Sequence, residues 1–229
     1  MTEHINSAFD TGLKEVNKQI AKLGALAETQ LDDSLNALND KNIGKFESII
    51  NRDKSLDQIT ADVSSSVFEL LALWSPIAYD LRSLLVADRV GAILERVGDY
   101  SKNIARRSSV ILSEENFDRL PVNIIGLGKH VQDLLHKSLD AYMEQNVDKA
   151  MKIWESDIDT DRLYLSIFKE IVNYMSDNPD DAKMLTHMIF ISKNLERVGD
   201  YTTSIAKQTY FLTEGEYPDT KRPKAMTTY

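Results

Sequence analysis

Apolar side chains recur every three or four residues along most of the chain, and this spacing places them on one face of an α-helix. One such series runs from Leu13 to Leu38, and a second runs from Phe46 to Leu70. Nothing in the sequence resembles the alternating pattern of a half-buried strand bounded by turn residues. Glycine and proline, with 9 and 5 residues, are also scarce. The pattern therefore predicts an all-α protein.

Polar breaks divide the first half of the chain into three helices. The first helix is interrupted at Asn39–Asn42, where Asn42 is a suitable N-cap for the second helix. Ser75 and Pro76 then offer a cap followed by a proline at the first helical position, where the missing N–H costs little. We expect the third helix to end at about Leu112.

The second half repeats this plan. Leu120 and Pro121 open another apolar series, Asn146 corresponds to Asn42, and the Asn178–Pro179 step corresponds to Ser75 and Pro76. Each half then contains three helices of about 30 residues, roughly 45 Å long. Short connections between them make consecutive helices antiparallel.

The predicted architecture is thus a pair of pseudo-symmetric antiparallel three-helix bundles, formed by residues 1–114 and 115–213. Residues 214–229 contain two prolines, mixed charge and no apolar series. We expect this C-terminal segment to be loosely ordered.

The duplication is also visible in individual residues. The string LERVGDY occurs at Leu94–Tyr100 and again, unchanged, at Leu195–Tyr201. It is followed by SKNIARRS in the first copy and by TTSIAKQT in the second. A repeat of this kind indicates two copies of one structural unit.

Composition and charge exclude several kinds of site. The chain has 27 Lys and Arg against 36 Asp and Glu, a formal charge of −9, and no cysteine. It therefore has no disulfide, thiolate nucleophile or zinc finger, and any metal must be bound by oxygen or imidazole. An acidic protein is poorly suited to nucleic acid or to direct docking on an anionic membrane. Without a secretory signal pattern or a membrane-spanning stretch, we expect a cytoplasmic protein.

Two acidic pairs in each half have i, i+4 spacing. Carboxylates at this spacing repel by a few tenths of a kcal/mol, and a bound cation removes that cost. If the pairs of one half meet, four carboxylates form an oxygen-only site suited to iron, manganese, magnesium or calcium. The first quartet comprises Asp53, Asp57, Glu95 and Asp99, and the second quartet comprises Asp157, Asp161, Glu196 and Asp200.

Helical-wheel geometry supports only part of this hypothesis. Asp157 and Asp161 fall within an apolar stripe, and a carboxylate there needs a partner. Glu95 and Asp99 instead project away from the apolar face of their helix, so spacing alone does not place them beside Asp53. Ordinary solvated helix faces also carry such pairs.

Smaller features of the repeat have two interpretations. Arg96 and Arg197 would compensate the acidic charge or support the metal ligands. Gly98 and Gly199 each cost a helix about 1 kcal/mol relative to alanine. Close helix packing is the simpler explanation of these glycines, and exposure of the backbone beside a bound ion is the alternative.

The duplicated unit resembles the PhoU family. The resemblance rests on LERVGDY followed by NIA in the first copy and SIA in the second, and on the stretch SPIAYDLRSLL, which contains Pro76, Asp80 and Arg82. It covers nearly the whole chain. Family members are built from two three-helix bundles and act as accessory regulators of the high-affinity phosphate transporter.

The resemblance also implies partners and a metal site. It implies a negative regulator that links the phosphate ABC transporter to the sensor histidine kinase of phosphate signalling, reaches the membrane through those partners and forms a possible homodimer. The family's acidic motifs bind iron or zinc clusters, and by position they correspond to all eight quartet residues. The chain departs from many relatives at Ile93 and Asn194, where they carry an acid, and at Ser204, which replaces the asparagine kept at Asn103.

Two other functions remain open at the level of sequence. The carboxylate clusters would suit a metal-dependent hydrolase or oxidase, although no convergent histidine or nucleophile accompanies them. No Glu-x-x-His pair typical of di-iron bundles is present, nor is a phosphate-cradling glycine loop. A helical interaction protein that binds no metal is the third possibility.

Overall fold

The computed structural model describes residues 2–113 and 122–219, with side chains from residue 8 onward. The described part is all helical and contains no strand, which confirms the predicted fold class. Its α-helices are α1 (Thr2–Asn39), α2 (Phe46–Trp74), α3 (Ala78–Leu112), α4 (Ile124–Met143), α5 (Val147–Asp177) and α6 (Ala182–Glu214).

Several helix ends follow the local sequence signals. The first helix ends at Asn39 and the third at Leu112, as predicted. The Asn146 side chain accepts a hydrogen bond of 3.0 Å from the Lys149 N–H and so caps α5. Asn42 precedes a short 3-10 turn instead, and its side chain makes no capping bond.

The expected start of the third helix at Pro76 is wrong. Ser75 ends α2 in the left-handed region, with φ of 45°, and its N–H donates to the Leu71 carbonyl at 3.1 Å. An N-cap residue has extended backbone angles, but Ser75 is instead the left-handed end of α2. Ile77, with φ of −125° and ψ of 162°, takes the N-cap position, and α3 starts at Ala78. Pro179 does open a 3-10 turn before α6. Leu120 and Pro121 lie outside the described residues.

The six helices form two three-helix bundles, one from α1 to α3 and one from α4 to α6. The bundles are joined side by side, because α3 packs along α6 and α1 also contacts α4. One large apolar core runs through both bundles, and buried residues such as Leu94 on α3 and Leu195 on α6 belong to it. None of the described helices is both long and apolar enough to cross a membrane.

The two LERVGDY strings face each other across the α3–α6 contact. The rings of Tyr100 and Tyr201, at equivalent positions, have centroids 5.9 Å apart, within the usual range for aromatic pairs. Arg96 also donates a 3.4 Å hydrogen bond to the Tyr201 hydroxyl. The repeated motif therefore serves as the pseudo-symmetric junction between the bundles as well as the carrier of the acidic residues.

The described beginning of the C-terminal segment lies against α6. The ring of Tyr217 stacks on that of Phe211 with centroids 4.6 Å apart. Arg89 of α3 donates a hydrogen bond to the Tyr217 hydroxyl. Residues 220–229, where the rest of this segment lies, are outside the described residues.

Candidate metal centres

Close contact between α2 and α3 positions the first quartet. A Cβ built on Gly98 would lie 2.6 Å from Cδ1 of Leu56 and 3.7 Å from Oδ1 of Asp53. A larger residue at position 98 would therefore require the buried Leu56 side chain to move. This geometry supports the packing interpretation of the glycine, and the close approach brings the buried Asp53 carboxylate against α3.

Lys102 links the two acidic pairs of the first quartet. Its ammonium group, on α3, donates hydrogen bonds to Asp53 Oδ2 on α2 and, at 2.6 Å, to Asp99 Oδ1 on its own helix. Buried Gln30 on α1 contributes further, since its Nε2 donates to the Gly98 carbonyl at 3.1 Å and lies 3.5 Å from Asp53 Oδ1. Helical-wheel geometry does not place Asp99 near Asp53, but in the structure both carboxylates bond the Lys102 ammonium group.

The first quartet behaves as one electrostatic unit. Burial raises the pKa of Glu95, and the negative charges of Asp99, Asp57 and Asp53 raise it further. The pKa of Asp57 is raised by burial and then by Asp53, while Lys102 opposes that rise. The charges on α2 therefore act on α3, and each additional negative charge there is costly.

Lys102 remains protonated in this environment. Burial alone would lower its pKa, but the hydrogen bonds to Asp53 and Asp99 outweigh that effect and raise the pKa above its ordinary value. The first quartet thus contains its own permanent cation.

In the second quartet, Asp157 is buried on α5, whereas Asp161, Glu196 and Asp200 are partly exposed. The helices approach closely here too, because a Cβ on Gly199 would lie 2.8 Å from Cγ2 of Thr160. The duplicated glycines and the duplicated acidic pairs therefore occupy corresponding places in the two bundles.

Glu196 of the second quartet is held by an ion pair at one of its two oxygens. Its Oε1 accepts a 2.8 Å ion pair from Lys193, one turn earlier on α6, while its Oε2 is buried and has no hydrogen-bond partner. Burial raises the pKa of Glu196, Asp200 adds to the rise, and Lys193 and Arg197 oppose it. These charges all belong to α6.

The two arginines of the repeat behave as charge compensation. Arg197 Nη1 lies 3.9 Å from Asp200 Oδ2, and the positive charge of Arg96 lowers the pKa of Glu95. Both arginines thus moderate the acidic charge of their own copy, as expected.

The side chains fit a metal ion unequally in the two copies. Among the described residues, no three acidic or histidine side chains are already arranged as metal ligands. In the second quartet, hard oxygen donors and the unpartnered Oε2 of Glu196 suit a hard cation. In the first, the Lys102 ammonium already bonds Asp53 and Asp99. Metal binding by either quartet stays a prediction.

Lys102 and Gln30 are the residues that sequence reasoning missed. Lys102 follows Asp99 by three residues, so it lies on the same side of α3, and this spacing was an available signal. Alignment of the two copies pairs Lys102 with Thr203, an asymmetry inside an otherwise matched motif. Gln30 belongs to α1, far away in sequence, and only the packed bundle shows its role.

The fold and sites define a class: duplicated three-helix-bundle proteins that carry an acidic quartet in each copy. The family model of the PhoU domain matches twice, at residues 20–108 and 124–209. The chain therefore belongs to the PhoU family, and its sequence resemblance is confirmed.

Individual relatives agree along the whole chain. It is 33% identical to a "Phosphate-specific transport system accessory protein PhoU homolog" of Caulobacter vibrioides, over 98% of this chain and 97% of the relative. A protein of the same name from Rhizobium meliloti is 34% identical over 96% and 93% of the two chains. Both are named as accessory proteins of phosphate transport.

Solved structures agree as well. The crystal structure of PhoU from Pseudomonas aeruginosa superposes with a TM-score of 0.87 at 29% identity, covering 91% of this chain and all of that one. The phosphate transport system regulatory protein PhoU from Streptococcus pneumoniae gives 0.85 at 29% identity, over 93% and 100%.

Proposed function

We propose that this protein is a non-enzymatic, cytoplasmic negative regulator of phosphate uptake. It would join subunits of the phosphate ABC transporter to the sensor histidine kinase of phosphate signalling and restrain both when phosphate is plentiful. The observation that carries the proposal is the end-to-end similarity to proteins named as accessory to phosphate-specific transport. Membrane association would be indirect, through the transporter.

The shape of the molecule suits a scaffold. With 38 residues, α1 is about 57 Å long at 1.5 Å per residue. Two such bundles joined by a common core present long faces to partner proteins. Large apolar side chains in the last third of α2 and in the α2–α3 connection are exposed, namely Phe68, Leu73 and Ile77.

A metal ion is part of the proposed function. Asp157, Asp161, Glu196 and Asp200 would hold a cation such as iron, manganese, zinc or magnesium. When bound, the ion supplies positive charge that offsets the mutual repulsion of these carboxylates. The four carboxylates would then hold the neighbouring faces of α5 and α6 in one arrangement that a partner protein can recognise.

The regulatory role is tested in cells. We expect deletion of the gene to increase uptake of radiolabelled phosphate, and to switch on a phosphate-starvation reporter in phosphate-rich medium. Complementation with the intact chain should reverse both changes. Uptake and reporter output that are unchanged by deletion would overturn the proposal.

The non-enzymatic and oligomeric parts have separate tests. Purified protein supplied with Mn²⁺ or Fe²⁺ should release no product from phosphate esters. Metal-dependent turnover that is lost when the Asp157 and Asp161 carboxylates are removed would favour a hydrolase. We expect a homodimer in light scattering coupled to size exclusion; the mass of a single chain would contradict that part.

A further inference from the structure

The two quartets differ at one equivalent position. Lys102 in SKNIARRS corresponds to Thr203 in TTSIAKQT, and both follow an identical LERVGDY string. Each residue comes three positions after the motif aspartate, Asp99 or Asp200. The repeat thus places a cation beside one quartet and a neutral hydroxyl beside the other.

In the first copy, the cation lies inside the cluster. The Lys102 side chain is only 16% exposed and its partner Asp53 only 8%. The ammonium bonds one carboxylate from each helix, Asp53 from α2 and Asp99 from α3. A hard cation bridging these helices would need the same oxygens and would be repelled by the neighbouring ammonium.

Displacement of the Lys102 ammonium from these oxygens by a metal ion would also cost free energy. Separation of a largely buried ion pair leaves uncompensated charge. A competing metal would have to offset that cost as well as its own dehydration. Asp53 and Asp99, one carboxylate from each helix, are therefore already paired without any metal.

In the second copy, the residue at the corresponding position supplies no cation. Thr203 is buried, and its hydroxyl donates to the Asp200 backbone carbonyl at 2.8 Å instead of to a carboxylate. Two cations of α6 itself approach this quartet. Lys193 pairs with Glu196 from one turn away, is 37% exposed and also lies 5.0 Å from the Tyr164 ring centroid. Arg197, which is 52% exposed, lies 3.9 Å from Asp200 Oδ2. The Lys193 contact leaves Glu196 Oε2 buried without a partner.

We propose that the two quartets are functionally unequal: Lys102 acts as a built-in cation that closes the first quartet to metal, so that metal binding is confined to the second quartet. This inference rests on the proposed metal-binding function and deepens it. It assigns a role to a residue of this chain, and it makes position 102 the determinant of how many ions the protein holds.

The test changes Lys102 to the residue of the other copy. Lys102→Thr, dialysed against excess Mn²⁺ and then against metal-free buffer, should retain about one more Mn²⁺ per chain than the unmodified protein, by elemental analysis. Lys54→Thr is the matched control, since Lys54 is an exposed lysine on α2, and it should gain none. Adding Asp53→Asn and Asp57→Asn to Lys102→Thr should abolish the gain.

Two results would overturn the inference. One is an unchanged Mn²⁺ content in Lys102→Thr that has native helicity by circular dichroism. The other is loss of metal from the otherwise unmodified protein on Asp53→Asn with Asp57→Asn. By contrast, an unmodified protein that retains no Mn²⁺, with a gain in Lys102→Thr, would overturn metal binding by the second quartet and leave the role of Lys102 supported.

The reciprocal exchange covers the case in which Lys102→Thr fails to fold. Thr203→Lys introduces the ammonium into the second quartet, where we expect it to lower the Mn²⁺ content by about one per chain. Full metal retention in a folded Thr203→Lys variant would count against the inference.

Discussion

Gly199 of α6 lies so close to Thr160 of α5 that an added Cβ would be 2.8 Å from Thr160 Cγ2. Thr160 is buried and β-branched, so its side chain has little freedom to move within the helix. Gly199→Ala should therefore destabilise the protein by about 1–3 kcal/mol, although alanine is the better helix former. Urea unfolding followed by circular dichroism measures this change.

Gly91 provides the control for that substitution. It also lies within a long helix, α3, but the atoms nearest to its added Cβ are 3.5 Å away, which is ordinary contact. Gly91→Ala should leave stability unchanged or increase it by up to about 1 kcal/mol. Equal destabilisation by both substitutions would mean that the Gly199 contact is not what fixes the α5–α6 approach.

Asn146 and Asn42 are equivalent in the repeat but not in their hydrogen bonds. Only Asn146 accepts from a backbone N–H of the following helix, that of Lys149. Asn146→Ala should cost about 1 kcal/mol of unfolding free energy, and Asn42→Ala should cost much less. Equal losses in chemical denaturation would contradict the capping assignment.

The Lys102–Asp53 ion pair predicts a strong coupling energy. Lys102→Met leaves the buried Asp53 carboxylate without its main partner, and such a loss typically costs about 3–5 kcal/mol. Asp53→Asn combined with Lys102→Met should cost less than the sum of the single changes, because no charge remains unpaired. A double-mutant cycle in metal-free buffer measures the coupling, and additive effects would show that the pair contributes nothing.

His136 makes the contact between bundles depend on pH. Its Nδ1 lies 2.9 Å from Glu28 Oε1 on α1, and this hydrogen bond, followed by the charges of Glu28, Asp140 and Asp133, raises the pKa of His136 above 6.5. A raised folded-state pKa gives stability that is complete below pH 6.5 and is lost as the pH rises through the folded value.

His136→Gln should remove this pH dependence. The effect is small because the His136 side chain is 65% exposed. Unfolding free energies at pH 6 and pH 8 provide the comparison, in which the unmodified protein should lose slightly more stability on going to pH 8. An identical difference in the variant would contradict the role of His136.

Local signals in the sequence were sufficient for the fold. Helical periodicity predicted the all-α fold class, and the break after Asn39 predicted the end of α1. The LERVGDY repeat predicted two copies of one structural unit. Asp157 was also correctly placed on an apolar face, since it is buried. These features depend on residues a few positions apart, which helical geometry relates directly.

Features that depend on packing between helices could not be predicted in the same way. The wheel places Glu95 and Asp99 on a face of one helix, but it does not describe how closely α2 crosses that helix. This approach depends on Gly98 against Leu56, and the link between the acidic pairs depends on the long reach of Lys102. The start of α3 was missed for a related reason, because Ser75 adopts a left-handed conformation that its residue type does not announce.

Metal binding by the second quartet, on the surface of a doubled helical bundle, is what distinguishes the proposed protein from a metal-free helical scaffold. It is tested most directly by elemental analysis of protein purified without chelator, compared with the Asp157→Asn and Asp161→Asn double variant. We expect a stoichiometric amount of metal in the unmodified protein and its loss in the variant, with helicity by circular dichroism preserved. Equal metal content in the two folded proteins would contradict it.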